Sequence, residues 1–381
     1  MSFLKIGAVN RVHIHYAIQA FAQAAGGIFI LAYLLKAGVP VPVALLFSAG
    51  IVGLRFLLRP LTLPLAKRFG VKPLLIAGAV ISGIDYPLLA LVEGPGPMLW
   101  AVCAFSSIGY LLYWLCYHAY FAALGKADDR GGQIGVREAA VALVGIVAPL
   151  MGAWGLTTIG STPTFWLVGI VQMLSVIPLI GLPNVPVKAE IEGPAGATRM
   201  ALGLMVADGV FASAYHYVWL IALFVALSQS YVAFGAAWAL AALVGAVSGM
   251  VLGRHIDMGH GRRATYIAYG AAVIVVAMRA GSLDLPWLAV AANAAGSFLV
   301  AIVSPVLMTP VYNMAKASPC VMRFHIATEG AWDIGCFLGC VCAAAMAWAG
   351  LSLGVPILLG LPAAAALILM LRRYYGPPRP G

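Results

Sequence analysis

Apolar residues run through this chain in long blocks, broken at near-regular intervals by short polar stretches. Many blocks reach the ~20 residues that a helix needs to cross a bilayer. Strict apolar–polar alternation is absent, so the blocks read as helices and not as barrel strands. They predict twelve spans, at 13–36, 41–66, 72–92, 97–124, 133–157, 163–183, 201–228, 231–253, 263–281, 285–315, 321–348 and 353–374. The longest polar connection, Pro183 to Arg199, carries Pro, Gly and charge in the manner of a linker. It divides the chain into an N-terminal six-helix half at 1–183, a central cytoplasmic linker at 184–200 and a C-terminal six-helix half at 201–381.

The polar positions inside the blocks are few and ordered. Span 11 carries His325, Glu329, Trp332, Asp333, Cys336 and Cys340 within an arc of about 100°. Two carboxylates one turn apart are expensive in hydrocarbon and call for a wet cavity, a cation or a proton. Span 1 aligns His15, Gln19, Gln23 and Gly26; span 4 presents Ser107, Tyr110, Trp114, Tyr117 and His118 on one broad face. Span 7 places Asp208, Tyr215 and Trp219 together, with His216 beside them. Span 10 has Asn293, Ser297, Ser304, Thr309 and Asn313, and Pro305 and Pro310 are expected to break it. Spans 6 and 12 are almost purely apolar, a contrast that a solute pathway through the bundle predicts. Plainer readings stand beside these. Aromatic residues near span ends serve as interfacial anchors, Gln19 and Gln23 serve as interhelical glue, and His13 and His15, near the cytoplasmic boundary, are expected to be hydrated.

Composition leaves lipid as the only adequate solvent. Of 381 residues, 63% are hydrophobic and 9% charged, against roughly 25% charged in a soluble domain. The net charge of +10 does not mark a nucleic-acid partner, because the cations sit in short loops between spans and act as topology signals. Of the 22 Lys and Arg residues, nineteen fall on the side of the two termini, Lys36 and Arg279 fall in loops of the opposite side, and Arg55 lies within a span. That bias places both termini in the cytoplasm of a multi-pass protein, which is expected in the plasma membrane, a bacterial inner membrane. The six cysteines lie in or beside apolar segments without a CxxC pair and read as small buried hydrophobes.

Arg55 cannot shed its proton and needs a partner at its depth. Asp85 on the next span would make a structural pair; Glu329 or Asp333 on span 11 would make another. Whichever carboxylates are left over, together with His325 and Asp208, are candidates for a proton-coupling network, unless the whole set is a static link. His325, Glu329, Asp333, Cys336 and Cys340 also offer nitrogen, oxygen and sulfur to a metal, although steps of one turn on a single helix rarely enclose an ion. No cofactor site, nucleotide loop, nucleophile–base pair or HExxH-type metal site is visible, so neither ATP drive nor an enzyme is expected.

The halves repeat. After span 2 comes P-L-A-K-R-F-G-V-K (Pro64 to Lys72); after span 8 comes G-R-H-I-D-M-G-H-G-R-R (Gly253 to Arg263). These turns resemble the loop signature of the major facilitator superfamily, roughly G-x-x-x-D-R-x-G-R-K. Arg68, Gly70 and Lys72 match in the first copy, where Lys67 replaces the aspartate and Pro64 the first glycine. Gly253, Asp257, Gly261, Arg262 and Arg263 are kept in the second. Span 5 carries G-I-V-A-P-L-M-G, in which Gly145, Pro149 and Gly152 resemble the family's antiporter motif. The resemblance implies an all-α integral membrane fold of twelve helices in two six-helix halves, with spans 1, 4, 7 and 10 lining a central cavity. It implies a proton-coupled secondary transporter of a small organic solute, more an exporter than an importer, working by alternating access. Its partners would be the solute, protons and lipid, and a monomer would suffice. Alternatives are a transition-metal or metal-chelate carrier, and a non-transporting assembly or pigment-delivery factor on the same fold.

Overall fold

The computed structural model describes residues 7–124, 130–185, 197–252 and 261–376. Gly253 and Asp257 lie outside the described residues, as do Lys5, Lys126, Lys188, Arg254, Arg379 and the linker at 186–196. Twelve helices among the described residues are long and apolar enough to cross a membrane. They are α1 (Ala8–Lys36), α2 (Val41–Phe69), α3 (Val71–Leu89), α4 (Pro97–Leu124), α5 (Arg130–Thr158) and α6 (Ser161–Leu179), then α7 (Arg199–Ala226), α8 (Tyr231–Leu252), α9 (Gly261–Ala280), α10 (Pro286–Ala317), α11 (Val321–Trp348) and α12 (Gly354–Tyr374). In lipid a helix is the one open-ended element that pairs all its own backbone groups, and this dictates the architecture.

Ends are set by local chemistry. Thr198 caps α7, its hydroxyl accepting from the Ala201 N–H at 3.2 Å. Lys67 and Arg68 close α2, and Arg372 and Arg373 close α12, each cation beside exposed helix C-terminal carbonyls. Arg11 does this across helices: its guanidinium is buried and bonds the carbonyls of Pro178 and Ile180 at the end of α6.

Packing divides the chain into two compact units. Unit 1 holds Met1–Pro40, Leu57–Glu190 and Tyr231–Ala239; unit 2 holds Val41–Phe56, Ile191–Ser230 and Leu240–Gly381. In unit 1 an aromatic core centres on Tyr113, Tyr117 and Tyr120. In unit 2 small residues let α7 and α11 touch backbone to backbone: a Cβ on Gly209 would meet the Trp332 carbonyl, and one on Gly335 the Val206 carbonyl.

Four helices depart from the sequence expectation. Pro305 and Pro310 do not break α10, which runs unbroken from Pro286 to Ala317. Pro310 lacks the N–H that would bond Val306, and the Tyr375 hydroxyl donates to the Val306 carbonyl at 3.3 Å in its place. The last span is two helices, Gly354–Ile357 and Gly360–Tyr374, and α1 carries a 3₁₀ turn at Gly27–Phe29. The middle of α7 is wound as a π-turn, Ser213–Val218.

Candidate functional site

Unit 2 holds the charged residues that the sequence pointed to. Arg55, on α2, meets Asp333, on α11: Nε donates to Oδ1 at 2.8 Å, and Nη2 bonds the same oxygen. Asp333 is fully buried. This settles the choice of partner for Arg55 in favour of α11 over Asp85. One residue earlier, Trp332 turns to α7 and its indole N–H donates to Asp208 Oδ2 at 2.9 Å. The same indole ring lies 5.4 Å from the Arg55 guanidinium. A single α11 segment thus supplies Asp333 to the guanidinium and holds Asp208 through Trp332. Glu329, half-buried, lies one turn before Asp333. His325 packs edge-on against Phe324 and Tyr312. Cys336 Sγ lies 3.2 Å from the Gly209 carbonyl in the α7–α11 seam, and Cys340 is buried. Among the described residues no three His, Cys, Asp or Glu side chains converge as a metal set.

The sequence missed a second cluster in unit 2. Arg279 is not a loop cation: it lies in the last turn of α9 and is 3% exposed. Its Nη1 donates to the Tyr215 carbonyl at 2.6 Å, and its guanidinium stands 4.0 Å from the Tyr215 ring and 4.6 Å from the Trp219 ring. Trp219 donates to Asn293 Oδ1 at 2.9 Å, and the Tyr215 hydroxyl donates to the Gly296 carbonyl. Tyr215 and Trp219 therefore face α9 and α10, whereas Asp208 faces α11. The three do not share a face, because the π-turn between them shifts the helical phase. His216 is exposed on that turn. A faint signal was present in the sequence: a lone arginine two residues inside the end of an apolar block, with two large aromatics in span 7 that a cation could occupy.

In unit 1, His15 and Gln19 are buried, not hydrated, and turn to α6. The His15 Nδ1 lies 2.7 Å from the Ser175 carbonyl; a carbonyl accepts, so Nδ1 carries the proton. Gln172 on α6 bonds the Gln19 side chain, the interhelical glue foreseen as the plainer reading. His13 is buried too, 5.8 Å from the Phe121 ring. Tyr117 lies in the core, stacked 4.7 Å from Tyr16. What stays partly open is Gln23, Tyr110 and Trp114, with the Tyr110 hydroxyl 3.4 Å from Gln23 Oε1. Asp85 is apart from all of these. Ser106 donates to its Oδ2, and its Oδ1 has no hydrogen-bond partner among the described residues.

The motif residues hold turns and close contacts. Gly70 adopts φ +83, and its Cα faces the Asn184 side chain where a Cβ would collide. Lys72 Nζ donates to the Leu182 carbonyl at 2.6 Å, and Asn184 Nδ2 donates to the Phe69 carbonyl at 3.0 Å, so the turn after α2 is tied to the end of α6. Arg68 is exposed over Phe69, and Arg262 and Arg263 are exposed in the first turn of α9, which Gly261 opens. In α5, Gly152 lies against the Ala25 carbonyl of α1, and the Pro149 carbonyl lies against Gly235 of α8. Gly145 is half-buried one turn earlier.

Twelve spans with buried charges and polar stripes at mid-helix define a polytopic membrane transporter. A sequence profile of the Major Facilitator Superfamily matches residues 14–322, and the chain belongs to that family. Among solved structures it is similar to a bacterial homologue of the iron transporter ferroportin in an inward-facing state, with a TM-score of 0.69 at 10% identity over 97% of this chain and 99% of that one. It is also similar to the human organic anion transporter MFSD10 (TETRAN), with a TM-score of 0.64 at 16% identity over 96% and 98%. At these identities the likeness is one of fold. A stretch of 93 residues is 29% identical to the multidrug resistance protein MdtH of Yersinia enterocolitica, and so is one in that of Yersinia pestis. The stretch covers 24% of this chain and 22% of those relatives' length.

Proposed function

We propose that this transporter is a proton-coupled secondary carrier that moves a small organic solute out of the cytoplasm by alternating access. The observation that carries the coupling is the charge arrangement on α2, α7 and α11. Two aspartates and one guanidinium lie there, and Arg55 is bonded to Asp333. Asp208 has instead a neutral indole N–H. A carboxylate held by a neutral donor can take up or release a proton without breaking an ion pair, which is what coupling requires. Glu329, one turn before Asp333, and His325, one turn before Glu329, are the groups through which that proton would reach the surface.

Export of an organic solute is supported by the Gly145–Gly152 motif and by the short stretch shared with multidrug resistance proteins. The half-open surface of Gln23, Tyr110 and Trp114 suits a flat solute, which the rings would stack and the amide would orient. The excess of cations on the side of the termini supports a plasma-membrane protein with both ends in the cytoplasm. The test is proton flux in proteoliposomes with a trapped pH dye, challenged with ethidium as an organic cation and fluorescein as an organic anion. One of the two is expected to drive proton movement in the opposite sense. Probe movement without any proton movement would overturn the coupling, and movement of neither probe nor proton would overturn organic-solute antiport.

A further inference from the structure

We propose that Arg279 is a positioning residue: it holds α7 in its π-turn and so sets which neighbours Asp208 and the Tyr215–Trp219 pair face. In an unbroken α-helix these three residues would fall within an arc of about 40°. They do not, because Ser213–Val218 is wound wide, the one π-turn among the described residues. Each residue there advances by less than the usual rotation, and the two sides of the turn slip in phase by about one residue. Asp208 is thereby aimed at Trp332 on α11, and the ring pair at α9 and α10.

A π-turn is less favourable than the α-helix and persists where its surroundings over-determine it. Arg279 supplies that determination from α9. Its Nη1 bonds the Tyr215 carbonyl, in the middle of the turn, at 2.6 Å, and its plane lies beside the two rings that flank the turn's second half. α10 closes the arrangement: the Tyr215 hydroxyl bonds the Gly296 carbonyl, and a Cβ on Gly296 would strike both Arg279 Nη2 and, at 2.8 Å, the Tyr215 hydroxyl. The charge itself calls for a reason. Arg279 Nε has no hydrogen-bond partner, and no carboxylate pairs with Arg279 among the described residues. A residue kept for bulk alone would not carry a cation into this site, since burying one without a counter-ion is costly. A guanidinium does here what an apolar side chain cannot: it donates strongly to a carbonyl inside a neighbouring helix while lying against two aromatic rings.

The experiment is hydrogen–deuterium exchange on the purified full-length protein in detergent, comparing the wild type with Arg279→Met, Arg279→Lys and Gly296→Ala. Met keeps the bulk and removes the donor; Lys keeps a donor; Gly296→Ala crowds both the guanidinium and the Tyr215 hydroxyl without removing the charge. Exchange over 213–222 is expected to rise about tenfold or more in the Met variant, with α9 and the first half of α7 unchanged. The Lys variant is expected to recover most of this protection, and Gly296→Ala to reproduce the Met pattern more weakly. Should Arg279→Met not fold, Lys and Gly296→Ala decide the matter. Unchanged exchange at 213–222, or an equal rise across α9 and α10 with Lys no better than Met, would overturn the proposal. The readout needs no solute, so its failure is separate from any failure of the transport reading.

Discussion

At the scale of single residues, the Arg55–Asp333 pair is the feature with the largest energetic stake. Asp333 is fully buried, the Arg55 side chain is 15% exposed, and the two are bonded to each other. Removing one partner strands a buried charge, which costs about 3–5 kcal/mol, whereas replacing both by apolar residues of similar size recovers much of that. Arg55→Met and Asp333→Leu are each expected to lower the melting temperature and the abundance of the protein, and the double variant to melt above either single one. Equal, additive losses would show the two residues to be uncoupled. Trp114 makes the contrasting case. It is only half-buried, among Tyr16, Tyr113 and His118, so Trp114→Ala is expected to weaken solute affinity more than it lowers abundance. Equal affinity at normal abundance would assign the ring to packing.

Sequence narrowed the partner of Arg55 to three carboxylates, because a guanidinium at a given depth needs a carboxylate at that depth and few were available. It could not choose among Asp85, Glu329 and Asp333, since helix rotation about the axis is set by packing. Arg279 was misplaced for a related reason: an arginine next to the end of an apolar block reads equally as a loop cation or as a buried donor, and only the Tyr215 carbonyl on another helix tells them apart.

At the scale of elements, the helices met the expected spans to within a few residues at most ends, because lipid enforces both length and internal hydrogen bonding. Interruptions were illegible. The π-turn in α7 has no composition signal, and Pro310 reads as a break unless the donor from Tyr375 is known. The seam between α7 and α11 gives this scale its prediction. Gly335 lies against the Val206 carbonyl, so Gly335→Ala is expected to cost about 1–3 kcal/mol through overpacking. Gly270→Ala, where a Cβ meets nothing within 4 Å, is expected to be neutral or to stabilise α9 slightly. Thermal melting of the two variants side by side checks this; equal melting temperatures would contradict the seam.

At the scale of the whole molecule, the twelve-span membrane architecture and the family were legible, since hydropathy, cation bias and two repeated turns all report on it. The candidate site was legible in outline and not in detail. His15 and Gln19, read first as cavity residues, are turned into the contact with α6, which a polar stripe on one helix cannot reveal. Orientation is open to direct test. A reporter fused after Gly381 is expected to read out cytoplasm, and one inserted at Thr157–Ser161 the outside; the reverse pattern would contradict the twelve-span topology with internal termini.

In the proposed mechanism the carboxylates of unit 2 carry the proton that drives solute movement, with Asp208 as a group free of a cationic partner among the described residues. The most direct test is Asp208→Asn in proteoliposomes, using whichever organic probe the wild type moves and measuring two things on the same vesicles: movement driven by a pH gradient, and exchange of labelled for unlabelled probe without a gradient. The amide keeps the size and the acceptor for Trp332 and removes the titration. Gradient-driven movement is expected to be lost while exchange persists. Wild-type, pH-driven transport in the Asp208→Asn protein would contradict it.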